Sequence, residues 1–135
     1  MGLQESTAVR NAKLDAIEAT IGTAPLLIFL SGTQPADCAA ADTGTVLATM
    51  SLPSDWMAAA SGGSKTLLGT WQDASADNTG VMGYWRIKDS SGTTCHMQGS
   101  VTATGGGGQI TVASTSIVQG QQFTISSFTL TDGNP

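Results

Sequence analysis

The stretch VMGYWRIKDSSGTTCHMQGSV, residues 81–101, decides the fold of this chain. On each side of its centre, apolar and polar residues alternate with the period of two that is typical of a β-strand with one buried face. The residues between the two runs, Asp89–Gly92, are turn formers, because Asp and Ser bond to nearby backbone amides and Gly tolerates a positive φ. The sequence therefore predicts a β-hairpin in which residues 81–87 pair with residues 93–101.

The same alternation predicts which side chains of the hairpin face the core. The inward set is Val81, Gly83, Trp85 and Ile87 on the first strand, and Cys95, Met97, Gly99 and Val101 on the second. The single histidine, His96, is then expected on the opposite face, in a row of hydroxyl and amide side chains.

Shorter strand signals lie on both sides of the hairpin. Residues 26–30, LLIFL, are apolar at every position, which predicts a strand that is covered on both faces. Further strands are predicted at residues 46–52, 67–71, 110–113 and 123–130, the last with a bulge at Ser126–Ser127 where the apolar phase changes. About seven or eight short strands at this spacing are typical of an all-β fold, an antiparallel sandwich or barrel.

Residues 5–21 are predicted to form the one substantial helix. Ser6 or Thr7 can cap its first turn, and Gly22 supplies the residue that commonly ends a helix. We divide the chain accordingly into an N-terminal helical arm, residues 1–22, and a β-sandwich domain, residues 23–135.

A narrow apolar stripe runs along this helix at Leu14, Ile17 and Ile21. The sequence offers no second helix to cover the stripe, so it must pack on the chain's own sheet or on another subunit. We assign Leu14, Ile17 and Ile21 as partner-contact residues, and we expect the β-domain to remain folded when residues 1–22 are deleted.

The composition is unusually poor in charge. Charged residues make up 11% of the chain and the net charge is −5, whereas an ordinary soluble domain carries about 25% charged residues. Five basic residues are too few for a phosphate-neutralising face, which argues against a nucleic-acid partner. No apolar run reaches the roughly 20 residues of a membrane helix. Obligate interfaces are similarly depleted in charge, so the composition favours assembly; a secreted Ser/Thr-rich β-domain is the alternative.

Few residues offer catalytic or metal chemistry. Cys38, Cys95 and His96 cannot complete a four-coordinate zinc site by themselves, so we expect no metal and no cofactor. The sequence shows no secretory signal, which favours free thiols over a disulfide between the two cysteines. His96 lacks a nucleophile and an orienting acid in its predicted strand, so no catalytic residue is assigned.

Several aspartates lie in predicted loops, where Asp commonly caps turns. Their spacing does not match the alternating oxygen ligands of a calcium loop. A pair of carboxylates for glycoside hydrolysis is neither shown nor excluded by the sequence, so a small hydrolase stays open as an alternative. These residues are Asp37, Asp42, Asp55, Asp73, Asp77 and Asp89.

The aromatic residues allow two interpretations. Trp56, Trp71, Trp85 and Tyr84 would suit a sugar-stacking platform if they were exposed. A chain this poor in large apolar side chains needs its tryptophans in the core, however, and we expect them to be buried.

Five segments carry a resemblance to a known family, and together they span nearly the whole chain. They are RNAKLDAIEATIG (10–22), SGTQPA (31–36), LPSDW (52–56), GTTCHMQG (92–99) and FTLTDGN (128–134). In these segments the chain resembles small virion proteins of tailed bacteriophages. In size and strand pattern it is similar to their jelly-roll capsid cement or decoration proteins, such as that of a short-tailed Bordetella phage.

The resemblance implies a jelly-roll-like β-sandwich with one N-terminal α-helix and no enzymatic activity. It implies a protein made in the bacterial host cytoplasm that binds the outer capsid surface and bridges subunits of the major capsid protein. Self-association as a dimer or another symmetric oligomer is expected. A carbohydrate- or receptor-binding β-sandwich module of a phage tail or fibre is the alternative function.

Overall fold

A computed structural model describes residues 2–134, so Met1 and Pro135 lie outside the described residues. The chain begins with helix α1 (Thr7–Ile21), and the fold is β-rich with one helix, as predicted. The strands that follow are β1 (Leu26–Leu30), β2 (Val46–Ser51), β3 (Ser64–Thr66), β4 (Trp71–Asp73), β5 (Gly80–Val81), β6 (Tyr84–Lys88), β7 (Cys95–Ala103), β8 (Ile110–Val112), β9 (Ser116–Ile117), β10 (Phe123–Ile125) and β11 (Thr129–Thr131).

A five-stranded sheet in the order β2-β1-β6-β7-β8 forms the centre of the fold. The predicted hairpin is its β6–β7 pair, which is antiparallel. The turn is closed by a hydrogen bond from the Gly92 amide to the Asp89 carbonyl, 2.9 Å, and Gly92 has a φ of +74°. The Asp89 carboxylate accepts from the amides of Thr93 and Thr94, as expected of Asp in a turn.

The hairpin differs from the prediction at both ends. Its first strand does not extend back to Val81, which instead pairs with Ser116 of β9 and exposes its side chain. The strand is interrupted at Gly83, where a Cβ atom would lie 2.0 Å from the carbonyl oxygen of Gly32. This close backbone approach separates β5 from β6.

A bulge in β7, the second strand of the hairpin, changes which of its side chains face the core. Ile87 lies opposite Met97 and Lys88 lies opposite Cys95, so His96 is the extra residue. An extra residue reverses the alternation beyond it. Cys95 therefore shares a face with Lys88 rather than with Met97, and the prediction that it faces the core with Met97 was wrong.

Three further predictions are corrected by the pairing. Residues 67–71 do not form one strand, because β3 and β4 flank Gly69 (φ +75°) and pair with different strands. Residues 123–130 form two strands rather than one bulged strand, since β10 pairs with β4 and β11 pairs with β3. The sheet is not wholly antiparallel, because β7 and β8 run parallel across a short connection that contains Gly105–Gly108.

The main core lies between one face of the central sheet and the smaller strand pairs. Phe29 of β1 contacts Phe123 of β10 edge to face, with ring centroids 5.0 Å apart. Phe128, between β10 and β11, packs against both Trp71 and Trp85. The opposite face of the sheet is covered by the loop of residues 31–45, which buries Tyr84 and Arg86. The prediction that β1 is covered on both faces is confirmed, since residues 27–30 are all buried.

Candidate interaction surface

The apolar stripe of α1 packs into the chain's own core. Leu14 and Ile21 are buried, and Ile17 packs against the main core cluster. The helix ends at Ile21, as predicted, but begins at Thr7, two residues later than predicted, with Ser6 as N-cap. Trp56 Nε1 donates to the Gly22 carbonyl, 3.0 Å, and fastens the end of the helix to the β-domain. The structure thus buries Leu14 and Ile21 in the fold and leaves Ile17 half-buried at a cleft beside His96, which supports the first of the two packing alternatives.

A buried lysine reinforces this attachment. Lys65 of β3 is 1% exposed, and its Nζ lies 2.6 Å from Asp15 and 2.8 Å from Glu18, both on α1. Burial opposes the charge on Lys65, but the hydrogen bonds and charges of the two carboxylates outweigh it and raise the lysine pKa above its ordinary value. The hydrogen bond from Lys65, aided by the Ala60 amide, lowers the pKa of Asp15. Asp15, Glu18 and Lys65 line an open cleft of about 620 Å³. Because their charges compensate one another, we interpret the cluster as a structural contact between α1 and β3.

A buried arginine organises the opposite face of the sheet. Arg86 is 2% exposed and donates to the carbonyls of Asp37 and Ala40, to the Asp42 carboxylate and to Gln98 Oε1. All of its acceptors except Gln98 lie in the loop of residues 31–45. A guanidinium has five donors in a fixed fork, so one side chain can hold several loop carbonyls at once.

The two cysteines meet on this same face. Cys38 in the loop and Cys95 at the start of β7 are free thiols whose Sγ atoms lie 2.7 Å apart. Burial and the hydrogen bond with Cys38 raise the pKa of the Cys95 thiol to about 12.

His96 and three of the loop aspartates have the following surroundings in the structure. His96 is exposed beside α1. Because of the bulge in β7, it does not lie in the predicted row of polar side chains that includes Gln98. Within residues 2–134, no group of three or more His, Cys, Asp or Glu side chains could hold a metal ion. Asp37 and Asp73 accept hydrogen bonds from nearby backbone amides, and Asp42 pairs with Arg86, so these carboxylates act as turn and loop anchors.

The tryptophans are buried, as predicted. Trp56, Trp71 and Trp85 are each at most 2% exposed. Trp71 Nε1 donates to the Trp56 carbonyl, 3.2 Å. None of the three offers a face for stacking against a sugar ring.

An open groove lies between β8 and β10. It has a volume of about 520 Å³, and buried Val112, Phe123 and Ile125 form its floor. Exposed small polar residues form its rim, and none of the residues that line it in the described chain is charged. The rim residues include Thr104, Thr111, Ser114, Gln121, Thr124, Ser126 and Ser127.

Both strands beside the groove have an unpaired edge. In the part of the chain that the structure describes, β8 pairs with β7 alone and β10 pairs with β4 alone. The Thr104 amide donates to the Val112 carbonyl, 3.0 Å, so the backbone N–H and C=O of Val112 point towards β7. Because backbone groups alternate in direction along a strand, Thr111 points its N–H and C=O away from β7, into the open side.

The sequence analysis did not find this groove. One signal was present, since residues 90–131 contain no Asp, Glu, Lys or Arg. Edge strands are usually protected by charge or proline, so a long uncharged stretch with β-pattern is a signal of strand edges that are open to pairing.

No helix within residues 2–134 is long and apolar enough to cross a membrane. Comparisons of the chain with protein-family models, with curated proteins and with solved structures give no match.

Proposed function

We propose that this chain is a capsid cement or decoration protein of a tailed bacteriophage, which binds the outer surface of the icosahedral shell and bridges subunits of the major capsid protein. The groove between β8 and β10 carries the proposal. Two open strand edges above an apolar floor fit an extended segment of a neighbouring protein, which would add a strand and bury its alternate side chains. The sequence resemblance to virion proteins supports the same role.

The proposed mechanism depends on contact area and repetition rather than on a chemical reaction. A rim of hydroxyl and amide side chains makes hydrogen bonds without the cost of desolvating charges. Each copy on the shell would add a contact of modest affinity across a subunit boundary. Because the shell repeats the site many times, these contacts together resist separation of the capsid subunits. Association of the copies into a dimer or another symmetric oligomer belongs to the same proposal.

The fold in this proposal is a jelly-roll-like β-sandwich. The five-stranded sheet would form one layer, and the β4–β10 and β3–β11 pairs would form the other. The contacts of Phe29 with Phe123 and of Trp85 with Phe128 lie between the two layers and support this arrangement. The parallel β7–β8 pair departs from the all-antiparallel pattern.

Two substitutions at one position test the groove. Thr111→Pro removes the outward backbone donor of β8, while a proline is tolerated on the solvent side of an edge strand. Thr111→Ala is the matched control, because it removes the exposed side chain but keeps the donor. Co-sedimentation with capsids of the phage that encodes the chain should show normal binding for Thr111→Ala. Thr111→Pro should bind about tenfold more weakly, the effect of losing roughly 1.4 kcal/mol.

Thermal melting of both variants separates a folding defect from a contact defect. If Thr111→Pro melts like the unaltered chain and still binds capsids with full affinity, the groove is not the contact surface.

A further inference from the structure

We infer that Cys38 and Cys95 form a reversible disulfide site, which fastens the loop of residues 31–45 to the five-stranded sheet in an oxidising environment. The two residues are 57 positions apart in sequence and belong to different elements, yet their Sγ atoms are only 2.7 Å apart. Disulfide formation requires this proximity, and here it needs no large backbone movement.

The surrounding contacts hold the loop cysteine in position. Asp37 Oδ1 accepts hydrogen bonds from the amides of Ala39 and Ala40, which fixes the turn around Cys38. Arg86 donates to the Asp37 carbonyl at 3.1 Å and to the Ala40 carbonyl at 2.9 Å, on the two sides of Cys38. A buried guanidinium thus orients the loop so that its thiol faces the sheet.

The bulge at His96 in β7 holds the second thiol, that of Cys95, on the face of the sheet that the loop covers. The bulge turns Cys95 to the face that carries Lys88 and Arg86. Without that extra residue, the alternation would point Cys95 to the other side of the sheet. Both thiols are half-buried, next to a small cleft of about 200 Å³ that small reagents can approach.

The oxidation proceeds by exchange with a low-molecular-weight disulfide such as oxidised glutathione. Burial and the hydrogen bond with Cys38 raise the pKa of the Cys95 thiol to about 12, which disfavours its thiolate, so we assign the first attack to Cys38. Its sulfur breaks the glutathione S–S bond, forms a mixed disulfide and releases one glutathione. The Cys95 sulfur then attacks Cys38 and displaces the second glutathione. The two thiol protons of the protein end on the two glutathione molecules, and the two protein sulfurs are oxidised as the glutathione disulfide is reduced.

The redox state of the compartment would decide whether the disulfide forms. A reducing cytoplasm keeps both thiols free, whereas an oxidising medium closes the bond. Closing a loop of this length restricts the unfolded chain strongly, so the oxidised protein should melt on the order of 10 °C higher than the reduced protein. This inference is independent of the proposed capsid contact.

The test equilibrates the purified chain with oxidised or reduced glutathione and then counts reactive thiols after unfolding. We expect no reactive thiol in the oxidised sample, a mass lower by two hydrogen atoms, a monomer on a non-reducing gel and the higher melting temperature. Cys38→Ser and Cys95→Ser serve as matched controls, since each should melt at the same temperature under both conditions. Two reactive thiols after oxidation, or a cross-linked dimer in place of the intramolecular bond, would overturn the inference.

Discussion

The ammonium group of Lys65 lies 2.6 Å from the carboxylate of Asp15, so a buried side chain of the β-domain is neutralised by the N-terminal helix. Glu18, one turn further along the helix, supplies the second carboxylate at 2.8 Å. A buried lysine that lost both partners would leave an uncompensated charge. We therefore expect the helix to belong to the same folding unit as the β-domain.

Deleting residues 1–22 should unfold the β-domain, in contrast to the expectation from sequence. The deletion removes Leu14 and Ile21 from the core and leaves Lys65 without its carboxylates. Far-ultraviolet circular dichroism should show loss of β-structure and of the cooperative melting transition. A milder change, Leu14→Ala, should keep the fold and reduce the free energy of unfolding by about 2–5 kcal/mol. A truncated chain that still melts cooperatively would show that the helix is dispensable.

The pair of Asp15 and Lys65 should make stability depend on pH at both extremes. The pKa of Asp15 is below its ordinary value of 3.8, so its contribution is present above that pH and is lost as pH falls through the folded-state value. The pKa of Lys65 is above 10.5, so its contribution is present below that pH and is lost as pH rises through the folded-state value.

An isosteric substitution isolates this pair. Asp15→Asn keeps an acceptor for the Ala60 amide but removes the charge. Between about pH 5 and 9 the variant should melt a few degrees below the unaltered chain, and this difference should fade at both extremes. Asp55→Asn is the control, because Asp55 is exposed and forms no ion pair within residues 2–134. A difference between Asp15→Asn and the unaltered chain that is constant from pH 3 to 11 contradicts the assignment.

Gly99 should not tolerate a side chain. A Cβ atom at this position would lie 2.7 Å from the indole ring of Trp85, which is buried and cannot move away. We expect Gly99→Ala to lower the free energy of unfolding by about 1–3 kcal/mol through overpacking. Gly133→Ala, where nothing lies within 4 Å, should be nearly neutral. Urea unfolding of the two variants checks the comparison, and equal midpoints would mean that the contact between Gly99 and Trp85 is wrong.

Arg86→Lys should loosen the loop of residues 31–45 although it keeps the charge. A lysine cannot reproduce the fork that reaches the carbonyls of Asp37 and Ala40 together. We expect a loss of about 2–4 kcal/mol in the free energy of unfolding and faster amide exchange in the loop. Lys13→Arg, at an exposed ion pair, is the reverse exchange and should change little. Unaltered exchange in Arg86→Lys would refute the anchoring role.

Local signals in the sequence were enough to predict the main elements. The alternation around Trp85 and the turn chemistry of Asp89–Gly92 predict the hairpin, because both act through neighbouring residues. Ser6 and Gly22 mark the helix ends for the same reason. The burial of the tryptophans follows from composition, since the chain has few other large apolar side chains.

Features that depend on distant partners could not be predicted in this way. The bulge at His96 exists only in the register with β6, and it changed the face of Cys95. The stripe that includes Leu14 shows that the helix is covered, but not by what. The groove beside Thr111 joins two strand edges that are far apart along the chain, and no periodicity of one strand reports the edge of another.

The most direct test of the proposed function is the position of the chain in an intact virus particle. The proposal predicts that electron cryomicroscopy of the encoding phage shows the chain on the outer shell, at boundaries between major capsid protein subunits. The groove between β8 and β10 should hold an extended segment of a capsid subunit. Density for the chain in the tail or fibres only, or its absence from the particle, would contradict the account.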